Sequence, residues 1–204
     1  MKNKKSVMFV LCLFFLVSCA SAKSFDVIEN YETMNFEILV NNQIKYKLPF
    51  SRYCGYQPVG NRCYFIDCAE STIFEYGELC FFDSKSGMIL YTGIMSGSEF
   101  LVTKKHIVAS SLTDEETEND IEDVFGLGLT GKKYPLDITI YDCKKYKEIK
   151  SFDLEEYRQG YDLASLFINL IDLSDEKIKV EYGVYDTTII IPIGTIDLQT
   201  LVIN

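Results

Sequence analysis

Only one side chain in this chain could act as an imidazole base: His106, in the stretch LVTKKHIVASS. Any Ser-His-Asp or Cys-His mechanism would have to use it. Here it leads into Ile107 and Val108 on an expected strand, where a packing role is the simpler reading. The Ser of GIMSG (Gly93 to Gly97) lacks the GxSxG spacing of a nucleophile elbow. GLGLTG (Gly126 to Gly131) has the GxGxxG spelling, but a dinucleotide site needs a strand before it and a helix N-terminus after it. An acidic run precedes it, and KKYP, with Pro135, follows. Asp114, Glu116, Glu118 and Asp120 offer the oxygen ligands that Ca²⁺ prefers, without the glycine turn and terminal bidentate Glu of a recognised calcium loop. The better reading of that run is a solvated loop. No catalytic residue is assigned, no cofactor is expected, and a hydrolase centred on His106 is the remaining enzymatic reading.

Thiol chemistry is better represented. The chain holds seven cysteines, five of them beyond Cys19: Cys54, Cys63, Cys68, Cys80 and Cys143. No CxxC pair exists and the single His is distant, which argues against zinc. Cys54 and Cys63 flank GYQPVGNR, where Pro58, Gly60 and Asn61 can turn the chain back, so a Cys54–Cys63 disulfide is the expected pairing if the compartment is oxidising. Cys63 and Cys68 differ by an odd number and would face opposite ways on one strand. Tyr53, Tyr56 and Tyr64 flank the same turn, either as an aromatic contact patch or as the core of the hairpin.

The N-terminus carries the most specific signal. Lys2, Lys4 and Lys5 precede an apolar run from Val7 to Val17, interrupted only by Cys12. Eleven residues is signal-peptide length, well short of the roughly 20 needed to cross a bilayer. Leu16-Val17-Ser18-Cys19 follows and resembles the lipobox of bacterial lipoproteins. The resemblance implies that Cys19 receives a diacylglyceryl group and becomes the acylated N-terminus after cleavage. The expected organisation is a signal peptide over 1–18, a tether over 19–30 and one globular domain over 31–204. Ala20-Ser21-Ala22 offers a competing site, which would release a soluble chain beginning at Lys23.

Composition narrows the partners. Loss of Lys2, Lys4 and Lys5 from the 20 basic residues leaves 17 against 30 acidic ones, a charge near −13. Nucleic acid and anionic lipid both call for the opposite sign. The 14 Tyr and 14 Phe can fill a core; with no Trp, a common sugar-stacking platform is missing.

Period-2 alternation and β-branched or aromatic clusters dominate the rest. Strands are expected at 36–40, 44–48, 63–66, 78–82, 88–91, 100–103, 106–110, 136–141, 147–152, 178–182 and 188–193. Leu163, Leu166, Phe167, Leu170 and Ile171 have helical spacing behind Asp162, yet also suit a buried strand, the preferred reading. The connection 113–127 holds seven acidic residues between Asp114 and Asp123. The fold class is all-β, an antiparallel sandwich or barrel or a small propeller-like repeat domain. Asp83 in CFFDSKSGMIL, Asp142 in TIYDCKKYKEI, Asp186 in GVYDTTIII and Asn41 mark a possible repeat. The layout resembles the hairpins of β-propeller repeats, where a strand-ending Asp opens the turn. The functional expectation is an envelope lipoprotein, held to the membrane by its lipid, whose β domain binds an envelope or host protein. A structural subunit of an envelope complex is the alternative.

Overall fold

The computed structural model describes residues 25–69, 76–97, 99–111, 137–161 and 166–204. Every extended element in it is a β-strand, in four antiparallel sheets. The chain divides into two compact units, Met1–Leu48 and Pro49–Asn204, where the sequence suggests one domain.

In the first unit β1 (Phe25–Asn30), β2 (Asn35–Val40) and β3 (Gln43–Pro49) form a three-stranded meander. Phe25–Asn30, expected within the tether, is therefore a paired strand, in register with Asn35–Val40. Buried Glu37 accepts Asn30 Nδ2 at 3.2 Å and pairs with Lys47 Nζ at 2.8 Å, so its charge is matched.

The second unit contains three successive four-stranded meanders. Sheet 2 is β4 (Tyr53–Val59), β5 (Arg62–Asp67), β6 (Tyr76–Asp83) and β7 (Met88–Gly97). Sheet 3 is β8 (Phe100–Val102), β9 (His106–Ser111), β10 (Asp137–Asp142) and β11 (Glu148–Asp153). Sheet 4 is β12 (Leu166–Ser174), β13 (Lys177–Val184), β14 (Ile190–Asp197) and β15 (Val202–Ile203). The doubtful segment is thus a strand from Leu166 onward; Asp162 and Leu163 lie outside the described residues. The strand expected at 188–193 begins and ends later, at Ile190 and Asp197.

Sheet 3 is buried on both faces along β8, β9 and the middle of β10, while β11 is largely exposed. Val102, Ile107 and Ala109 pack on Cys54, Tyr64, Ile66, Leu79, Phe81 and Ile94 of sheet 2. Their neighbours Leu101, Val108, Ile138 and Ile140 point the other way, onto Ile168, Ile178, Val180, Tyr182, Ile191 and Ile196 of sheet 4. Each such fully buried Ile contributes about 2 kcal/mol by leaving water. Two polar devices fix the seam between sheets 2 and 3. Gln57 Nε2 donates to the Val102 carbonyl at 3.1 Å while its Oε1 accepts the Val102 N–H at 2.6 Å, so a side-chain amide completes the open edge of β8. The Arg62 guanidinium lies 4.4 Å from the Phe81 ring centre and reaches the hydroxyl of Tyr146, in the β10–β11 turn, at 3.4 Å.

One turn recurs between the third and fourth strands of all three sheets. Asp83, Asp142 and Asp197 each end a strand, and the carbonyl of each accepts the N–H four residues on, from Gly87, Tyr146 and Leu201, at 2.8 Å. Those three residues have φ of 70°, 54° and 55°. The carboxylates accept amides inside the turn: Lys85 for Asp83, Lys144 and Lys145 for Asp142, Gln199 and Thr200 for Asp197. The turn shared by Asp83 and Asp142 recurs at Asp197. Asp186 lies in the β13–β14 turn, after a second strand, and Asn41 lies in the differently built β2–β3 turn.

Candidate functional site

Among the described residues, a cluster of interacting polar side chains stands at one end of sheet 2. Asp67 closes β5, and its carboxylate is only 4% exposed. Arg52, in the turn before β4, grips it with two parallel bonds, Nε to Oδ1 at 2.9 Å and Nη2 to Oδ2 at 2.7 Å. Tyr91 of β7 donates its hydroxyl to Oδ2 at 2.6 Å and accepts from Arg52 Nη2 at 3.1 Å, which closes a ring of three groups. The Ala69 N–H adds a fourth bond, at 3.1 Å, to Oδ1. Burial alone would raise the Asp67 carboxyl; the bonds from Arg52 and Tyr91 outweigh it and hold the group below the ordinary carboxylate range. Tyr91 moves upward because its proton is held by Asp67, with burial adding to the effect.

Local sequence explains why these three meet. Arg52 accepts the Cys68 N–H at its carbonyl at 2.8 Å, so β4 and β5 are held together one residue past their last pair, Tyr53 with Asp67. Gly77 lets β6 approach: a Cβ there would sit 2.1 Å from the Asp67 carbonyl oxygen. A register shift between Glu78 and Cys80 then sets Tyr91 opposite Cys80, on the Asp67 face. The guanidinium also stacks 5.2 Å from the ring centre of Tyr53. Arg52 and Tyr91 remain about half exposed, at 45% and 48%, and Met95 is exposed on the same strand. An anchored Arg and Tyr with a neighbouring Met is the composition that protein-contact surfaces favour. Its carboxylate is committed to Arg52, Tyr91 and the Ala69 N–H.

The cysteines fall differently from expectation. Cys54 pairs in register with Ile66 and shares a packed cluster with Tyr64 and Ile66, whereas Cys63 pairs with Pro58 and alternates with Tyr64 onto the other face. The structure therefore brings Cys54 to Cys68, with sulfurs 3.5 Å apart, and separates it from Cys63. Burial pushes the Cys63 thiol far up; burial, with Asp67 and Glu78 adding to it, takes that of Cys80 to about 12. The three tyrosines do not make one patch. Tyr53 and Tyr56 lie near Phe65, while Tyr64 packs on Phe81 at 5.2 Å on the opposite face.

His106 opens β9 opposite Asp142. Its Nδ1 is buried without a hydrogen-bond partner, and burial, with Lys105 adding to it, lowers its pKa against the pull of Asp142. The Cys143 thiol points to the Lys104 carbonyl at 3.0 Å, and burial raises it. Ser96 of GIMSG is fully buried and donates to the Gly97 carbonyl at 2.9 Å. Cys19, the acidic run with Asp114, Glu116, Glu118 and Asp120, and the GLGLTG stretch lie outside the described residues.

Among the described residues no group of three or more His, Cys, Asp or Glu side chains could hold a metal ion, and no helix is long and apolar enough to cross a membrane. Sequence reasoning missed Arg52, Asp67 and Tyr91, which stand 15 and 24 residues apart; the one local signal was an Asp ending an apolar strand. Comparison with protein-family models and with curated proteins finds no match, so the chain is placed by its own chemistry alone.

Proposed function

We propose that the chain is an exported lipoprotein of a bacterial envelope, acylated at Cys19, whose β domain works by binding a protein partner. The observation that carries this reading is Leu16-Val17-Ser18-Cys19 placed directly after the basic and apolar segments of a leader. A diacylglyceryl group with a further acyl chain gives stable anchoring, since each buried CH₂ contributes about 0.8 kcal/mol. The strongly acidic composition turns the choice of partner away from nucleic acid. Arg52, Tyr91 and Met95 at one end of sheet 2 supply a contact surface of the right composition. A soluble exported form is the second reading, favoured by Ala20-Ser21-Ala22.

The test is the mass of the N-terminal peptide of the chain expressed in a lipoprotein-processing bacterium. A peptide beginning at Cys19 with acyl chains is expected, and Cys19→Ala should move the protein from the membrane to the soluble fraction. An unmodified peptide beginning at Lys23 would overturn the anchor and favour the soluble form. For the binding half, mild cross-linking in the envelope should capture a partner from wild type and less of it from Tyr91→Ala. Equal capture by both would remove the sheet 2 surface from the proposal.

A further inference from the structure

We propose that Cys54 and Cys68 are an oxidisable dithiol that closes into an intramolecular disulfide across the mouth of the β4–β5 hairpin. Their sulfurs stand 3.5 Å apart. They are diagonal neighbours on one face: Cys54 lies opposite Ile66, and Cys68 follows two residues on. A disulfide needs the sulfurs at about 2.0 Å, an approach of roughly 1.5 Å. The Cys68 side chain can supply that movement by rotation about its Cα–Cβ bond, while its N–H stays on the Arg52 carbonyl at 2.8 Å.

The two thiols are unequal in a useful way. Cys54 is buried, at 8% exposure, whereas Cys68 is partly open to solvent. An external disulfide of the glutathione type therefore meets Cys68 first. The Cys68 thiolate attacks one sulfur of that disulfide, a mixed disulfide forms, and one small thiolate leaves and takes up the proton Cys68 released. Cys54 then gives up its proton and attacks the Cys68 sulfur from within contact range, expelling the second small thiol. Two cysteines are oxidised and one small-molecule disulfide is reduced to two thiols, so electrons and protons balance. Cys63 and Cys80, both fully buried with strongly raised thiols, cannot compete for the first step.

The bridge would close a loop between residues 14 apart, over the same strand ends that Arg52 and Asp67 already hold by hydrogen bonds. It would convert a charge-held junction into a covalent one whose state follows the surrounding redox poise. The proposal does not depend on the lipid anchor; export would decide only where the bridge closes.

The experiment incubates the purified full chain in graded ratios of oxidised to reduced glutathione, traps remaining thiols by alkylation, and maps linked peptides. Wild type should lose two alkylation sites, and peptide 53–62 should become joined to the peptide that carries Cys68. A second digest cutting before Asp67 and after Glu70, Glu75 or Glu78 separates Cys68 from both Cys63 and Cys80, so wild type alone decides the pairing. Cys68→Ser should abolish the link and Cys63→Ala should keep it. The oxidised wild type should melt roughly 5 °C or more above the reduced form. Cys54 alkylated to the same extent at every ratio, or a link running to Cys63 or Cys80, would overturn the proposal.

Discussion

Asp67 and Arg52 meet fork to fork, with both carboxylate oxygens accepting from one guanidinium at 2.9 and 2.7 Å. The two partners differ sharply in exposure, 4% for the carboxylate side chain against 45% for the arginine. Removing one partner is therefore unlike removing the other. Arg52→Ala leaves a buried anion with Tyr91 and an amide for company, and should cost about 2 kcal/mol in urea unfolding. Asp67→Asn leaves only a solvated arginine behind and should cost less. A larger loss for Asp67→Asn than for Arg52→Ala would contradict this ordering.

The same carboxylate sets an acid limit. Its folded pKa lies below its unfolded one, so its contribution is complete above the ordinary Asp range near 3.9 and is lost as pH falls through the depressed folded value. Urea midpoints measured from pH 5 down to pH 2 should fall less steeply in Asp67→Asn than in wild type.

His106 carries the opposite kind of charge with the same sign of slope. Burial depresses its folded pKa, so below about 6.5 the unfolded chain takes up protons that the folded chain refuses. Stability from this group is complete above that range and declines as pH drops through it toward the folded value. Histidine titration by NMR should give a midpoint under the ordinary value, and His106→Gln should flatten the pH dependence of unfolding between pH 7 and 5. A midpoint at or above 6.5 would refute the burial argument.

Two glycines separate steric contact from backbone conformation. At Gly77 an added Cβ meets a backbone oxygen at 2.1 Å, and the atom it strikes belongs to Asp67. Gly77→Ala should cost about 3 kcal/mol or prevent folding, since two paired strands must part. Gly93, at φ +76°, has open space around it, so Gly93→Ala should cost only about 1–2 kcal/mol of left-handed strain. Denaturation midpoints of the two variants test the order.

The recurring Asp turn predicts a chemical rescue. Amides of Lys145 and Lys144 hold the Asp142 carboxyl below its usual range, and those of Thr200 and Gln199 do the same for Asp197. An Asn side chain keeps one acceptor oxygen for these N–H groups, whereas Ala keeps none. Melting temperatures should therefore rank wild type, then Asn, then Ala at both positions. Asn and Ala variants that melt together would show that the carboxylate bonds contribute nothing.

Much of the fold was legible because strands announce themselves by period. Phe36–Val40, Glu78–Phe82 and Leu136–Tyr141 lie within or almost within the observed β2, β6 and β10. Strand β4 was hidden because Gly55 and Pro58 read as turn chemistry; Gly55 falls in the register shift between Cys54 and Gln57, Pro58 pairs with Cys63, and Gly60 lies in the turn that follows. Strand β1 was hidden by the charges of FDVIEN, which suit an exposed edge as well as a tether. The site was less legible, for a physical reason. Arg52, Asp67 and Tyr91 meet only after the registers of four strands are set, and register is a property of pairs of segments. The same cause misdirected the cysteines: the turn between Cys54 and Cys63 is genuine, but its register sets Cys54 opposite Ile66.

Every sheet here is assembled from strands that follow one another directly along the chain. Among the described residues each strand pairs with its neighbour in the chain, the widest step being from β9, ending at Ser111, to β10, beginning at Asp137, so backbone pairing can be completed in the order in which residues emerge. A chain handed N-terminus first through a pore would build one meander before the next arrives. Sheet 3 is the exception in timing rather than in pairing, since its far face stays wet until β12, β13 and β14 arrive to cover it. A pause after residue 161 would therefore hold the molecule with Ile138, Ile140 and Val108 in water, the moment at which a chaperone has most to protect.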